Sequence, residues 1–198
     1  MFAQTISLNP RSEAVERHRI LHQKARIGAL WSALTGRCRR LDNLMDVQHL
    51  YKVENSAYGG VTIIPLDQIR GSEGRVGDFD REFRPLKAHN AERWINIAIA
   101  RMRGVPLPPV ELVRVNDSYY VRDGHHRISV AKAFQQADID AQVTTWHVTK
   151  LADVVVAPTC QPAGQTLGQR LGELRELLAA MVARLRRGRL VTTGNVYS

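Results

Sequence analysis

The chain has 198 residues, enough for one medium-sized domain with extensions, and its 44% hydrophobic and 24% charged content fits a soluble globular protein. No stretch approaches the roughly 18 apolar residues of a membrane span, and two distant cysteines, Cys38 and Cys160, supply neither a disulfide framework nor a zinc motif. The formal net charge of +9 points to anionic partners, although the excess lies mainly in the flanks: 9 basic against 5 acidic side chains in residues 1–60, 13 against 11 in 61–150, and 6 against 3 in 151–198.

The first ten residues have neither a basic start nor a long apolar run, so no signal peptide is expected and the location is read as cytoplasmic. Asn9 followed by Pro10 starts a helix that runs to about Leu34 and stops at Thr35-Gly36. Ile20, Ile27, Trp31 and Leu34 form its expected apolar stripe. Arg37, Arg39 and Arg40 follow the stop and are a candidate DNA-contacting cluster; the plainer reading is a set of solvated cations that the helix dipole favours. A second short helix is expected over residues 41–51, and residues 55–60 are rich in chain breakers and mark a boundary.

Val61-Thr62-Ile63-Ile64 is the first expected strand, ended by Pro65. Gly71, Gly74 and Gly77 predict a mobile loop. Glu73, Asp78 and Asp80 in this loop are candidate carboxylates for Mg²⁺ binding or general base work; otherwise it is a charged surface loop pinned by Phe79 and Phe83. A helix is expected over residues 90–103, with Trp94, Ile97, Ala98 and Met102 facing the core and Gly104 closing it. Two strand patterns, 110–115 and 118–121, flank Asn116-Asp117 and predict a hairpin, and another strand is expected over 139–146.

The hairpin leads into Asp123-Gly124-His125-His126-Arg127, with apolar residues at helical spacing behind it. Strand, tight turn and helix N-terminus in that order create a place where anions bind, because free N–H groups and the positive end of the dipole meet there. Asp123, Gly124, His125, His126 and Arg127 are the candidate phosphate- or nucleotide-binding residues. Arg127 can fork onto a phosphate, and nothing in the sequence around it demands an arginine for packing. His125 and His126 can donate hydrogen bonds or move a proton, so they are also candidate catalytic groups. The structural alternative is an Asp123 N-cap, a Gly124 turn residue and two hydrated histidines. A metal site built from His125, His126 and His89 is disfavoured, because adjacent histidines at a helix start diverge.

Beyond a Pro- and Gly-containing linker, Leu167, Leu171, Leu174, Leu178, Met181 and Leu185 repeat at strict 4-3 spacing, which suits a coiled coil or a docking helix and offers a route to an oligomer. Arg186, Arg187 and Arg189 end that helix and form a second candidate DNA-contacting cluster.

The 123–127 turn with its alanine-containing helix resembles the Gly-x-x-Arg motif of the ParB/sulfiredoxin superfamily. Leu107-Pro108-Pro109-Val110 is similar to its proline-containing strand start, and residues 64–69 to its opening strand and turn. The resemblance covers roughly residues 61–150. It implies a small α+β, mixed-sheet domain that binds nucleotide phosphates at this turn, with an N-terminal helical extension (1–60) and a C-terminal linker and amphipathic helix (151–198). Members include CTP-binding partition proteins, sulfinic-acid reductases, proposed nucleases and a free-serine kinase, so fold does not settle function. Sulfiredoxin activity needs a cysteine in the turn, where this chain has His125. The expected function is a ParB-like phosphate- or nucleotide-binding module with a DNA-associated or regulatory role. The alternative is a phosphotransferase, nucleotide hydrolase or nuclease that uses the same turn, a nucleotide with Mg²⁺, and a carboxylate from Glu73, Asp78 or Asp80.

Overall fold

The structure is a computed structural model and describes residues 9–36 and 38–150. In chain order the elements are α1 (Pro10–Thr35), β1 (Asp42–Asn43), α2 (Leu44–Leu50), β2 (Tyr51–Pro65), β3 (Ile69–Ser72), α3 (Ala91–Met102), β4 (Val110–Val115), β5 (Ser118–Asp123), α4 (His125–Ala133) and β6 (Asp138–Lys150). The strands form one mixed sheet in the order β1-β3-β5-β4-β6-β2. The β5 strand is parallel to β3 and antiparallel to β4, and β4 is parallel to β6. Sheet and helices together make an α+β fold, as the sequence led one to expect.

Local chemistry accounts for the best-matched elements. The Asn9 side chain accepts from Arg11 N at 3.0 Å at the start of α1, and Gly36 closes that helix at φ 68°. Asn43 caps α2 in the same way. The β4–β5 hairpin turns at Asn116, whose φ of 52° is one that asparagine tolerates better than most residues.

The hairpin lies inside the sheet, and each of its faces packs into a separate buried cluster. Val110 and Leu112 join Val121, Ile128, Phe79 and Phe83 in the main core, whereas Val113, Val115 and Tyr120 pack with Leu44 of α2 on the opposite face. This two-residue alternation is what a strand buried on both sides requires. A third cluster joins Ala14 of α1, Trp94, Ile95 and Ala98 of α3, and Val130 of α4.

Three expectations are corrected. The α1 stripe at Ile20, Ile27, Trp31 and Leu34 faces solvent, with Trp31 60% exposed. The helix instead buries Ala14, Ala25 and Gly28, small residues that let it approach its neighbours closely, together with His18, whose ring meets Trp94 edge-on at 5.4 Å. Residues 55–60 are not a break: β2 runs through them, absorbing Gly59 and Gly60 as a register shift between Tyr58 and Val61. Nor is Gly71 in a loop. It lies in β3 between β1 and β5, and a Cβ there would overlap the Asp42 carbonyl and the Tyr120 ring. Glycine is needed for close approach, not mobility.

The expected leucine seam at residues 167–185, together with Arg186, Arg187, Arg189 and Arg37, lies outside the described residues. Among the described residues no helix is long and apolar enough to cross a membrane.

Candidate functional site

The 123–127 turn forms as expected, with a different division of labour. Gly124, not Asp123, is the N-cap of α4, at φ 98°. A Cβ on Gly124 would lie 2.5 Å from Cγ1 of Val110. Two separate constraints therefore demand glycine, a left-handed backbone and contact with β4, and both belong to the fold.

Arg127 is held by the protein itself. Its Nη1 donates to the carbonyls of Pro108 and Pro109 at 2.6 and 2.7 Å, and its Nη2 to Asp123 Oδ2 at 2.6 Å. Its side chain is 13% exposed. The expectation that nothing demands an arginine here is corrected: the guanidinium ties the start of β4 to the end of β5. Arg127 has five N–H donors, and these contacts leave part of the fork, including Nε–H, for another acceptor.

The two histidines are buried at 5% and 4% exposure rather than hydrated. His125 stacks on Phe79, and its Nε2 lies 2.6 Å from Ser72 Oγ. That oxygen also accepts from Gly74 N at 3.3 Å and Arg75 N at 3.0 Å. With both lone pairs of the hydroxyl taken, its proton goes to His125 Nε2, which places the ring proton on Nδ1. Burial, reinforced by the nearby charge of Arg75, pushes the His125 imidazole down to about 4. Ser72 is completely buried, so this Ser–His pair is an internal tie and not a nucleophile open to substrate.

His126 differs. Its ring meets Phe79 edge-on at 5.2 Å, and neither Nδ1 nor Nε2 has a hydrogen-bond partner. Burial, then the positive charges of Arg93 and Arg75, push it down to about 4, so it is neutral at physiological pH. A buried imidazole with both nitrogens unpaired costs free energy unless something else meets it. It lines a narrow cleft of about 20 Å³ with Arg75, Arg93, Ile97, Asp123, Gly124, His125 and Arg127. That volume admits about one water-sized group, so a larger ligand would insert a single polar atom and rest at the mouth.

Three arginines therefore converge on the N-terminus of α4, whose leading N–H groups have no carbonyl a turn ahead. The carboxylate of Asp123 is matched by Arg127. Arg75 sits 3.9 Å from Asp78, but Asp78 is closer to Lys87, at 2.6 Å. Arg93 forms no ion pair with a described carboxylate. A positive remainder is left at the cleft mouth.

Arg75 and Arg93 are the residues that sequence reasoning missed. Arg93 did leave a trace: it occupies the third position of α3, where the dipole disfavours a cation, and Arg127 does the same in α4. Arg75 left none. It reaches the cleft because Ser72 folds the following loop back through its amides and because Phe79 and Phe83 are buried at 1% and 0%.

The three candidate carboxylates do not line the cleft. Asp78 is the one whose charge reaches both imidazoles. Burial raises its affinity for a proton, but Lys87, Arg75 and His89 outweigh that and hold it below the usual carboxylate range. Asp80 is buried and accepts from Glu82 N at 3.0 Å and Arg84 N at 2.8 Å, organising the turn that seats Phe83. Glu73 pairs with Arg122 at 2.8 Å. Arg39 and Arg40 do not line the cleft, and Arg40 bridges to Asp80 through its backbone.

No protein-family model and no curated protein sequence matches the chain. Among solved structures the chain is similar to sulfiredoxin from Arabidopsis thaliana, at 18% sequence identity over 42% of this chain and 82% of that one, with a TM-score of 0.31.

Proposed function

We propose that the protein is a phosphate-binding module, with the cleft between the 73–79 loop, α3 and the N-terminus of α4 as the seat of an anionic group. The observation that carries this reading is His126: a buried, neutral imidazole with two unpaired nitrogens, placed where Arg75, Arg93 and Arg127 meet. One phosphate oxygen entering the cleft can accept from the His126 ring N–H and from the leading amides of α4. Arg75, Arg93 and the free part of the Arg127 fork then take the remaining oxygens.

A phosphate ester at the mouth leaves its organic part outside, so a nucleotide fits as well as free phosphate. This is the ligand class implied by the resemblance of the 123–127 turn to the ParB/sulfiredoxin superfamily. The carboxylates nearest the site, Asp78 and Asp123, are engaged by Lys87 and Arg127. Any Mg²⁺ would therefore arrive on the ligand's own phosphates. The same engagement makes binding, with a regulatory consequence, better supported than phosphoryl transfer or hydrolysis by Asp78, Asp80 or Glu73.

Calorimetric titration with phosphate, pyrophosphate and a panel of nucleotides, with and without Mg²⁺, tests the reading. Arg75→Gln and Arg93→Gln should each weaken binding about 10-fold or more, since a charge-assisted bond contributes roughly 1.5–3 kcal/mol. Arg93 is exposed and Arg75 is half-buried, its ion pair with Asp78 a long one at 3.9 Å, so the fold should survive both substitutions. No binding at millimolar concentration, or binding indifferent to both substitutions, would overturn it. Release of product from a bound nucleotide would favour the enzyme instead.

A further inference from the structure

A second anion-attracting region lies away from the cleft, at the other end of α4. Lys24 of α1, Arg70 of β3, Arg81 and Arg84 of the turn after Phe79, and Lys132 of α4 line a cavity of about 940 Å³. A neighbouring cavity of about 480 Å³ is lined by Trp31, Arg39, Arg81 and Glu82. Arg81 and Glu82 belong to both, so the two form one continuous groove. Arg84 is paired with Asp80, at 3.6 Å. Lys24, Arg39, Arg70, Arg81 and Lys132 form no ion pair with a described carboxylate, and the lining carboxylates are Asp67 and Glu82. Cations outnumber carboxylates along the groove, and the partial compensation from Asp67, Glu82 and Asp80 falls mainly around Lys132 and Arg84.

Two features identify the kind of anion. The groove is extended: α1 rises about 10 Å between Lys24 and Trp31, and the combined volume exceeds what one small ligand fills. It also ends on Trp31, an indole 60% exposed at the edge of the cationic lining. A run of cations that tracks a backbone, with an aromatic face on which a base can stack, is how single strands are held without sequence preference. A duplex keeps its bases stacked on one another and leaves none for the indole.

We propose that this groove binds single-stranded nucleic acid, with Lys24, Arg70, Arg81 and Lys132 along the phosphates and Trp31 stacked on a base. The site is separate from the His126 cleft and does not depend on the function proposed there. Lys132 is held with its ammonium 4.9 Å above the Phe83 ring, which fixes its direction; burial pulls its pKa down, and a phosphate alongside would favour the charged form.

The test is fluorescence anisotropy of a labelled oligo(dT) of about 15 nucleotides with the full chain, across a salt series. Binding should be strongest at low salt and fall with a log–log slope of about 0.7 for each phosphate neutralised. Trp31→Ala should weaken it about 5-fold or more and abolish quenching of tryptophan emission by the oligonucleotide. Arg81→Gln should weaken it and reduce the salt slope by roughly 0.7. Both residues are exposed, so thermal melts should match the wild type. Arg75→Gln, in the separate cleft, should leave oligonucleotide binding unchanged. The proposal is overturned if a duplex of equal length binds as tightly, if tripolyphosphate displaces the oligonucleotide while Trp31→Ala has no effect, or if Arg75→Gln removes the binding.

Discussion

The Ser72 hydroxyl and Nε2 of His125 stand 2.6 Å apart in the core, joining the end of β3 to the first residue of α4. The same hydroxyl receives the amides of Gly74 and Arg75. One oxygen thus sets both the loop that carries Arg75 and the turn that carries Arg127. Ser72→Ala leaves two amides and a ring nitrogen without their partner, and each unsatisfied group costs about 1–3 kcal/mol. Urea denaturation should show a loss of at least about 2 kcal/mol, together with weaker phosphate binding. Unchanged stability would mean that the loop is held by something else.

Gly124→Ala should destabilise through two separable effects. The left-handed backbone costs an alanine about 1–3 kcal/mol, and its methyl overlaps Val110. In a double-mutant cycle with Val110→Ala, the overlap should be relieved and the backbone cost should remain. Strict additivity of the two substitutions would disprove the contact.

Arg127→Ala should lower stability as well as ligand affinity, because two prolyl carbonyls and Asp123 lose their donor. Arg127→Lys should recover only part of the stability: one ammonium cannot reproduce the planar fork. Thermal melts of the two variants decide this, and a wild-type melting temperature for Arg127→Ala would return the residue to a purely ligand-binding role.

Acid should unfold the protein through its buried histidines. His125 and His126 are held neutral, with values near 4 against about 6.5 for the unfolded chain. Their contribution is complete above pH 6.5 and is lost as the pH falls towards 4, because the unfolded state takes up protons first. A gap of that size corresponds to on the order of 3 kcal/mol for each imidazole. His126→Gln should flatten the pH dependence of stability between pH 4 and 6.5. A bound phosphate that accepts from His126 and supplies negative charge should raise that residue's pKa, visible as a shifted imidazole titration by NMR.

Gly71→Ala tests the corrected assignment of the glycine-containing segment. A loop glycine would tolerate the change, whereas one between β1 and β5 must push aside a backbone carbonyl and a tyrosine ring. Failure to fold, or a loss of several kcal/mol, is the expected outcome.

The legible parts of this protein were those governed by residues close in sequence. Asn9 with Pro10 and Gly36 bound α1, Gly104 ends α3, and Asn116 turns the hairpin, since caps and turns are satisfied within a few residues. The strand–turn–helix order around Gly124 was readable for the same reason, and with it the position of the candidate site. Tertiary structure alone decided the rest. The buried face of α1 is the one that packs on Trp94 and its neighbours in α3 and α4, not the one that carries its largest apolar residues. Whether Gly71 meant mobility or close approach depended on β1 and Tyr120. Arg75 and Arg93 join Arg127 across dozens of intervening residues through a buried serine, two phenylalanines and the packing of α3 on α4. The burial that leaves His126 neutral and unpaired exists only once those parts close around it, because desolvation belongs to the assembled core and not to any stretch of chain.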